Sequence, residues 1–141
     1  MIRKVQWRAQ QIVSGFKSPA DDYLEGRLEV SDLLIVDPHS TFYFRMGSDA
    51  MNSFGLAQHD ILIVDRSLKP VNGTIVIVAV AGELICRCIS YKGKVACLFS
   101  DEGRIEANED GFDIWGVVTA SCKNVLPNAL RKGRYANVCA L

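Results

Sequence analysis

A chain of 141 residues, 49% hydrophobic and 23% charged, has globular composition and enough length to bury one substantial core. Sixteen basic and sixteen acidic residues cancel to zero net charge, which removes any global electrostatic case for nucleic-acid binding. No apolar run approaches the roughly 20 residues of a helical membrane span, and the opening MIRKVQWRAQQIVSG lacks the apolar core of a secretory signal. The expectation is a cytoplasmic protein with no membrane attachment.

The chain opens with Met1 to Val13, basic at first and weakly periodic, with no helix start signal. It reads as an N-terminal arm spanning residues 1–14; a frayed terminus fits the same residues. Ser14 to Ala20 combines small residues, a glycine and Pro19, the composition of an extended segment. Asp21 or Asp22 can cap a short helix running towards Leu28. Ser31 to Ile35 suits another helical turn, closed by Asp37-Pro38.

From Thr41 onward the sequence predicts strands. Thr41 to Met46 is aromatic and β-branched, and Ile61 to Asp65 is a buried-type apolar run. Thr74 to Ala81 and Glu83 to Ser90 form a hairpin around Ala81-Gly82. Tyr91 to Lys94 is a second turn, and Val95 to Phe99 follows as a strand. Ser100 to Gly111 is a polar surface loop around a possible short strand, and Ile114 to Thr119 resumes the sheet. The tail, 124–141, reads as a short helix or a disordered extension. Short strands joined by tight turns imply a mainly β domain.

The five cysteines, Cys86, Cys88, Cys97, Cys122 and Cys139, fall mostly in apolar runs and read as reduced, small hydrophobes. Cys86 and Cys88 are spaced C-x-C with no histidine nearby, so neither a metal site nor a cofactor is expected.

Five segments carry a resemblance: Gly15-Phe-x-Ser-Pro-Ala-x-Asp-Tyr23, the loop Ser48-Asp49-Ala50-Met51, the run from Gly55 to Asp65, the run from Gly73 to Glu83, and Asp113 to Val118. In this order and spacing the chain resembles the UmuD/LexA family of self-cleaving proteins, and UmuD more than the repressors. The resemblance implies a LexA/signal-peptidase-like β-fold over residues 15–123, with a mobile arm before it and an extension after it. It also implies a Ser–Lys dyad that cuts the protein's own arm before a glycine. A serine hydroxyl needs a base to take its proton, and a lysine can serve only when burial keeps it neutral.

Here the implied serine position is Ala50 and the implied lysine position is Arg87. Alanine has no hydroxyl, and arginine stays protonated in proteins. Both catalytic positions are therefore expected to be inactive. Ser48, where the family has glycine, is the first candidate for a substitute nucleophile, with Ser53 behind it. The expected pairing for Arg87 is a carboxylate such as Asp49, or solvent. The cleavage-site equivalent, Ser14-Gly15, is retained and makes the arm a candidate pseudo-substrate.

Three functions compete. The first is a UmuD-like accessory protein for error-prone translesion synthesis in the SOS response. The resemblance gives it a homodimer, a translesion polymerase of the UmuC type and the RecA filament as partners, without direct DNA binding. The second is a self-cleaving serine peptidase of the same family, either an inactivated variant or one using another nucleophile. The third, a repressor, would need a helix-turn-helix domain ahead of residue 14, where none fits. The apolar run Ile114 to Val118 suits either a dimer interface or core.

Overall fold

Two consecutive residues with positive φ, Ala81 at 51° and Gly82 at 81°, turn the chain back on itself in the manner of a two-residue type I′ hairpin. This turn joins β3 (Ile75–Val80) to β4 (Glu83–Lys92), which pair antiparallel from Ile75↔Cys88 to Val80↔Glu83. The computed structural model describes residues 29–130 and 139–141. The arm, the Ser14-Gly15 site and the helix expected after Asp21 lie outside the described residues.

Before the sheet, α1 (Val30–Leu34) is a single helical segment, with the Ile35 N–H donating to the Ser31 carbonyl. It belongs to a compact unit that ends at Val36, and the sheet belongs to a second unit, Asp37–Leu141. The other strands are β1 (Thr41–Arg45), β2 (Ile61–Asp65), β5 (Val95–Ser100), β6 (Gly103–Glu106), β7 (Asp113–Cys122) and β8 (Cys139–Ala140). They form one eight-stranded sheet in the order β6-β5-β4-β3-β7-β2-β1-β8, antiparallel throughout except for the parallel β1–β8 pair. The mainly β fold expected from the sequence is the observed one.

The Ile114 to Val118 run lies at the centre of the sheet. Its strand pairs with β3 through residues 113–117 and with β2 through residues 117–122, so Val117 faces core. Gly116 is required for close approach, because a Cβ there would lie 2.6 Å from Val64 Cγ1. Register shifts between Ile63 and Val64 and between Ile77 and Val78 mark bulges, which let one long strand serve both neighbours. The tail contributes a 3-10 turn at Asn128–Leu130 and then β8, where a short helix or a disordered extension was expected. Strand pairing at such distance in sequence leaves no local signature.

Alternation along the strands builds two cores on opposite faces. One holds Phe44, Met46, Met51, Leu56, Leu62, Val64, Ile77 and Cys86. The other holds Val76, Val78, Ile89, Ala96, Leu98 and Val117. Each fully buried aliphatic side chain contributes about 1.5–3 kcal/mol. The first core runs directly beneath the loop that follows β1.

Candidate functional site

The 46–60 loop carries Ala50 at its turn. Met51 anchors it at 0% exposure, and its carbonyl accepts from both Phe54 N–H and Leu56 N–H, closing a 3-10 turn at Asn52–Phe54. At the loop's ends, Met46 N–H donates to the Asp60 carbonyl and His59 N–H donates to the Met46 carbonyl. His59 reaches φ 75°, as a tight turn there requires.

Asp60 fixes this loop to the far end of β7. Its buried carboxylate accepts from Ala57 N–H at 2.9 Å and from Lys123 Nζ at 2.6 Å. At the other end of β2, Asp65 accepts from Ser67 Oγ at 2.6 Å and from Ser67 N–H at 2.7 Å. Those bonds, side chain first, hold the Asp65 carboxyl below its usual range against the opposing effect of burial. Neither carboxylate stood out as an anchor in the sequence, where both read only as the ends of a motif.

Ala50 is buried, with a methyl group where the resemblance places the hydroxyl. Arg87, in the middle of β4, keeps 15% of its side chain exposed. The β5–β6 turn, Asp101-Glu102, brings the two positions together. Asp101 N–H donates to the Ala50 carbonyl at 2.8 Å. The Asp101 carboxylate accepts from Ser53 N–H at 2.9 Å and from Ser53 Oγ. The neighbouring Glu102 carboxylate faces Arg87 Nη2 at 3.7 Å, while Arg87 Nη1 donates to the Cys86 carbonyl at 2.7 Å.

Arg87 therefore pairs with a carboxylate, one of the two outcomes expected from the sequence, and the partner is Glu102 rather than Asp49. The sequence presented Asp101 and Glu102 only as part of a polar loop. Their role depends on β4–β5 register, which sets Arg87 beside the end of β5. With Glu102 largely exposed, the ion pair itself contributes only about 0–1 kcal/mol. The Asp101 bonds do more to define the loop, and the Ser53 side chain foremost holds the Asp101 carboxyl below its usual range.

Ser48 is exposed, and its Oγ accepts the Ala50 N–H at 3.4 Å. A bond in which the oxygen accepts takes no proton from the hydroxyl and so does not activate it. Ser53 is likewise engaged, donating to a carboxylate already held in its charged form. Arg87 is flanked by two thiols: Cys86 is buried and burial pushes it up to about 12, and burial also raises Cys88. Burial therefore disfavours the thiolate, the form that would act as nucleophile, at both positions.

This sheet, with its strand–loop–strand bearing Ser48-Asp49-Ala50-Met51, defines a class. Residues 7–119 match the Peptidase S24-like family, and the chain belongs to that family, as a UmuD/LexA-family protein. It is 36% identical over 107 residues to Protein SamA of Salmonella typhimurium, covering 76% of each chain. It is 41% identical over 88 residues to Protein ImpA of Escherichia coli, covering 62% of this chain and 61% of ImpA. A third relative, Protein MucA of Escherichia coli, is 26% identical over 124 residues and is covered to 85%, as is this chain.

Proposed function

We propose that this protein is a UmuD-like accessory protein for error-prone translesion DNA synthesis in the SOS response, and that it performs no self-cleavage. The chemistry at residues 50 and 87 carries this reading: a methyl group and a permanently charged guanidinium stand at the positions where the resemblance to the family implies nucleophile and base. The hydrogen bonds of Asp101 to the Ala50 loop and the Glu102–Arg87 ion pair support it, because they give both residues structural work. Membership of the S24-like family and the similarity to SamA, ImpA and MucA support the UmuD-like part.

In this reading the protein is a cytoplasmic homodimer that keeps its arm. Its partners are a translesion polymerase of the UmuC type and the RecA filament, and it reaches DNA through them. Among the described residues no helix is long and apolar enough to cross a membrane.

The test is intact mass after incubation at alkaline pH, which would neutralise a buried lysine base, and separately with an activated RecA–single-stranded DNA filament. The expected mass is unchanged in both. Loss of residues 1–14 would overturn the reading and point to Ser48 as the nucleophile. A chain carrying Ala50→Ser and Arg87→Lys should then cleave before Gly15 if the two positions alone account for inactivity.

A further inference from the structure

Zero net charge conceals a segregation along the chain. Residues 66–100 carry five basic side chains, Arg66, Lys69, Arg87, Lys92 and Lys94, against Glu83 alone, while residues 101–113 carry six acidic side chains against Arg104 alone. Three of the five cations belong to two loops that are tied together. Lys92 and Lys94 flank Gly93 (φ 65°) where β4 turns into β5, and Lys69 lies in the loop that leads into β3. Asn72 joins that loop to the hairpin: its Oδ1 accepts from Ser90 Oγ at 2.8 Å and from Tyr91 N–H at 2.9 Å. Beside it, Gly73 N–H donates to the Ile89 carbonyl and Ile89 N–H to the Thr74 carbonyl, each at 2.8 Å.

Lys69, Lys92 and Lys94 are exposed, and among the described residues none of them forms an ion pair. Lys92 stands opposite Val95 in the ladder, on the same face as Ser90. The carboxylate next along that face, Glu106 opposite Cys97, is taken by Arg104. Each cation also has an exposed aliphatic neighbour: Leu68 adjoins Lys69, Val95 adjoins Lys94, and Val71 adjoins the bridging Asn72. Positive charge alone would serve solubility. Interleaved with exposed aliphatic side chains on hydrogen-bonded loops, it suits a protein partner of opposite charge, and little order is left to lose on binding. Aliphatic side chains give no platform for stacking bases, which argues against a nucleic-acid strand. We propose that the β4–β5 turn and the 68–72 loop form a docking surface for an acidic protein segment that carries apolar side chains. The three ammonium groups meet its carboxylates, and Leu68, Val71 and Val95 meet its apolar residues. This surface does not rest on the function proposed above.

The test is titration of the full chain with a labelled peptide, Glu-Leu-Asp-Glu-Val-Asp-Leu-Glu, followed by fluorescence anisotropy and by amide NMR shifts. Binding should saturate, move the amides of residues 69–72 and 92–95, and weaken about tenfold between about 0.05 M and about 0.5 M salt. Lys92→Glu combined with Lys94→Glu should weaken it by about tenfold or more, and Val95→Ser by about threefold. Lys69→Glu, in the other loop, should also weaken it by about threefold and covers the case in which the hairpin variant fails to fold. Absence of saturable binding, or binding unchanged by Lys69→Glu, would overturn the docking surface. So would equal binding of the same peptide with Gln and Asn in place of Glu and Asp. An oligothymidine that binds tighter than the peptide and ignores Val95→Ser would assign the lysines to single-stranded nucleic acid and overturn the protein partner.

Discussion

The sheet divides into two halves built by different rules. In the β3-β4-β5-β6 half every strand pairs with its neighbour in sequence, through tight turns such as Ala81-Gly82 and Asp101-Glu102. In the β7-β2-β1-β8 half, most pairs join residues far apart in the chain. Arg87 lies on the first half and Ala50 hangs from the second, so the candidate site exists only where the halves meet. The Asp101-Glu102 turn makes that junction. A local hairpin can thus be correct in itself and still leave the site unformed until the non-local strands close.

The strongest way to break this comparison is to hollow out the non-local half. Leu62→Ala removes a side chain of 0% exposure from β2. It should cost about 2–5 kcal/mol in urea denaturation. A cost below about 1 kcal/mol, well under that range, would deny β2 its central role.

Next in size is the ionic tie across that half. Asp60→Ala strips the acceptor from Ala57 N–H and the partner from Lys123. The expected loss is about 1–3 kcal/mol in the same measurement. An unchanged midpoint would leave strand pairing as sufficient closure.

A smaller effect is expected at the aromatic corner, where Arg66 lies 4.3 Å from the Trp115 ring centre and its Nε donates to the Trp115 carbonyl. Phe42 and Phe44 meet the same indole edge-on, at 5.1 Å and 5.0 Å. Arg66→Ala should cost about 0.5–1 kcal/mol by thermal unfolding. Trp115 fluorescence should change with it, and an unaltered spectrum would place the guanidinium away from the ring.

The finest probe addresses the junction through pH. The Asp101 carboxyl titrates below its usual range in the folded protein. Its bonds to Ser53 therefore contribute fully above that range and are lost as pH falls through the depressed value. Exchange of the Ser53 amide, corrected for intrinsic rates, should accelerate in acid in the wild type. In Asp101→Asn it should be faster near neutral pH and lose this acid limb. Identical profiles would remove Asp101 as the clamp.

What the sequence determined by itself was whatever physics acts over a few residues. Aromatic, β-branched and continuous apolar runs specified β1 to β5 nearly to their ends, and the Ala81-Gly82 turn specified the longest hairpin. The motif order around Ser48-Asp49-Ala50-Met51 pointed to the family, and the identities of Ala50 and Arg87 stated the chemistry of those side chains. Tertiary structure alone decided which strands are neighbours, because backbone hydrogen bonds carry no label for the distant partner they will meet. It placed Ile114 to Val118 at the sheet centre and gave Arg87 to Glu102 rather than Asp49. It also turned the end of the chain into a strand on β1, where an absent side chain at Gly47 could be understood only once Leu141 lay against it.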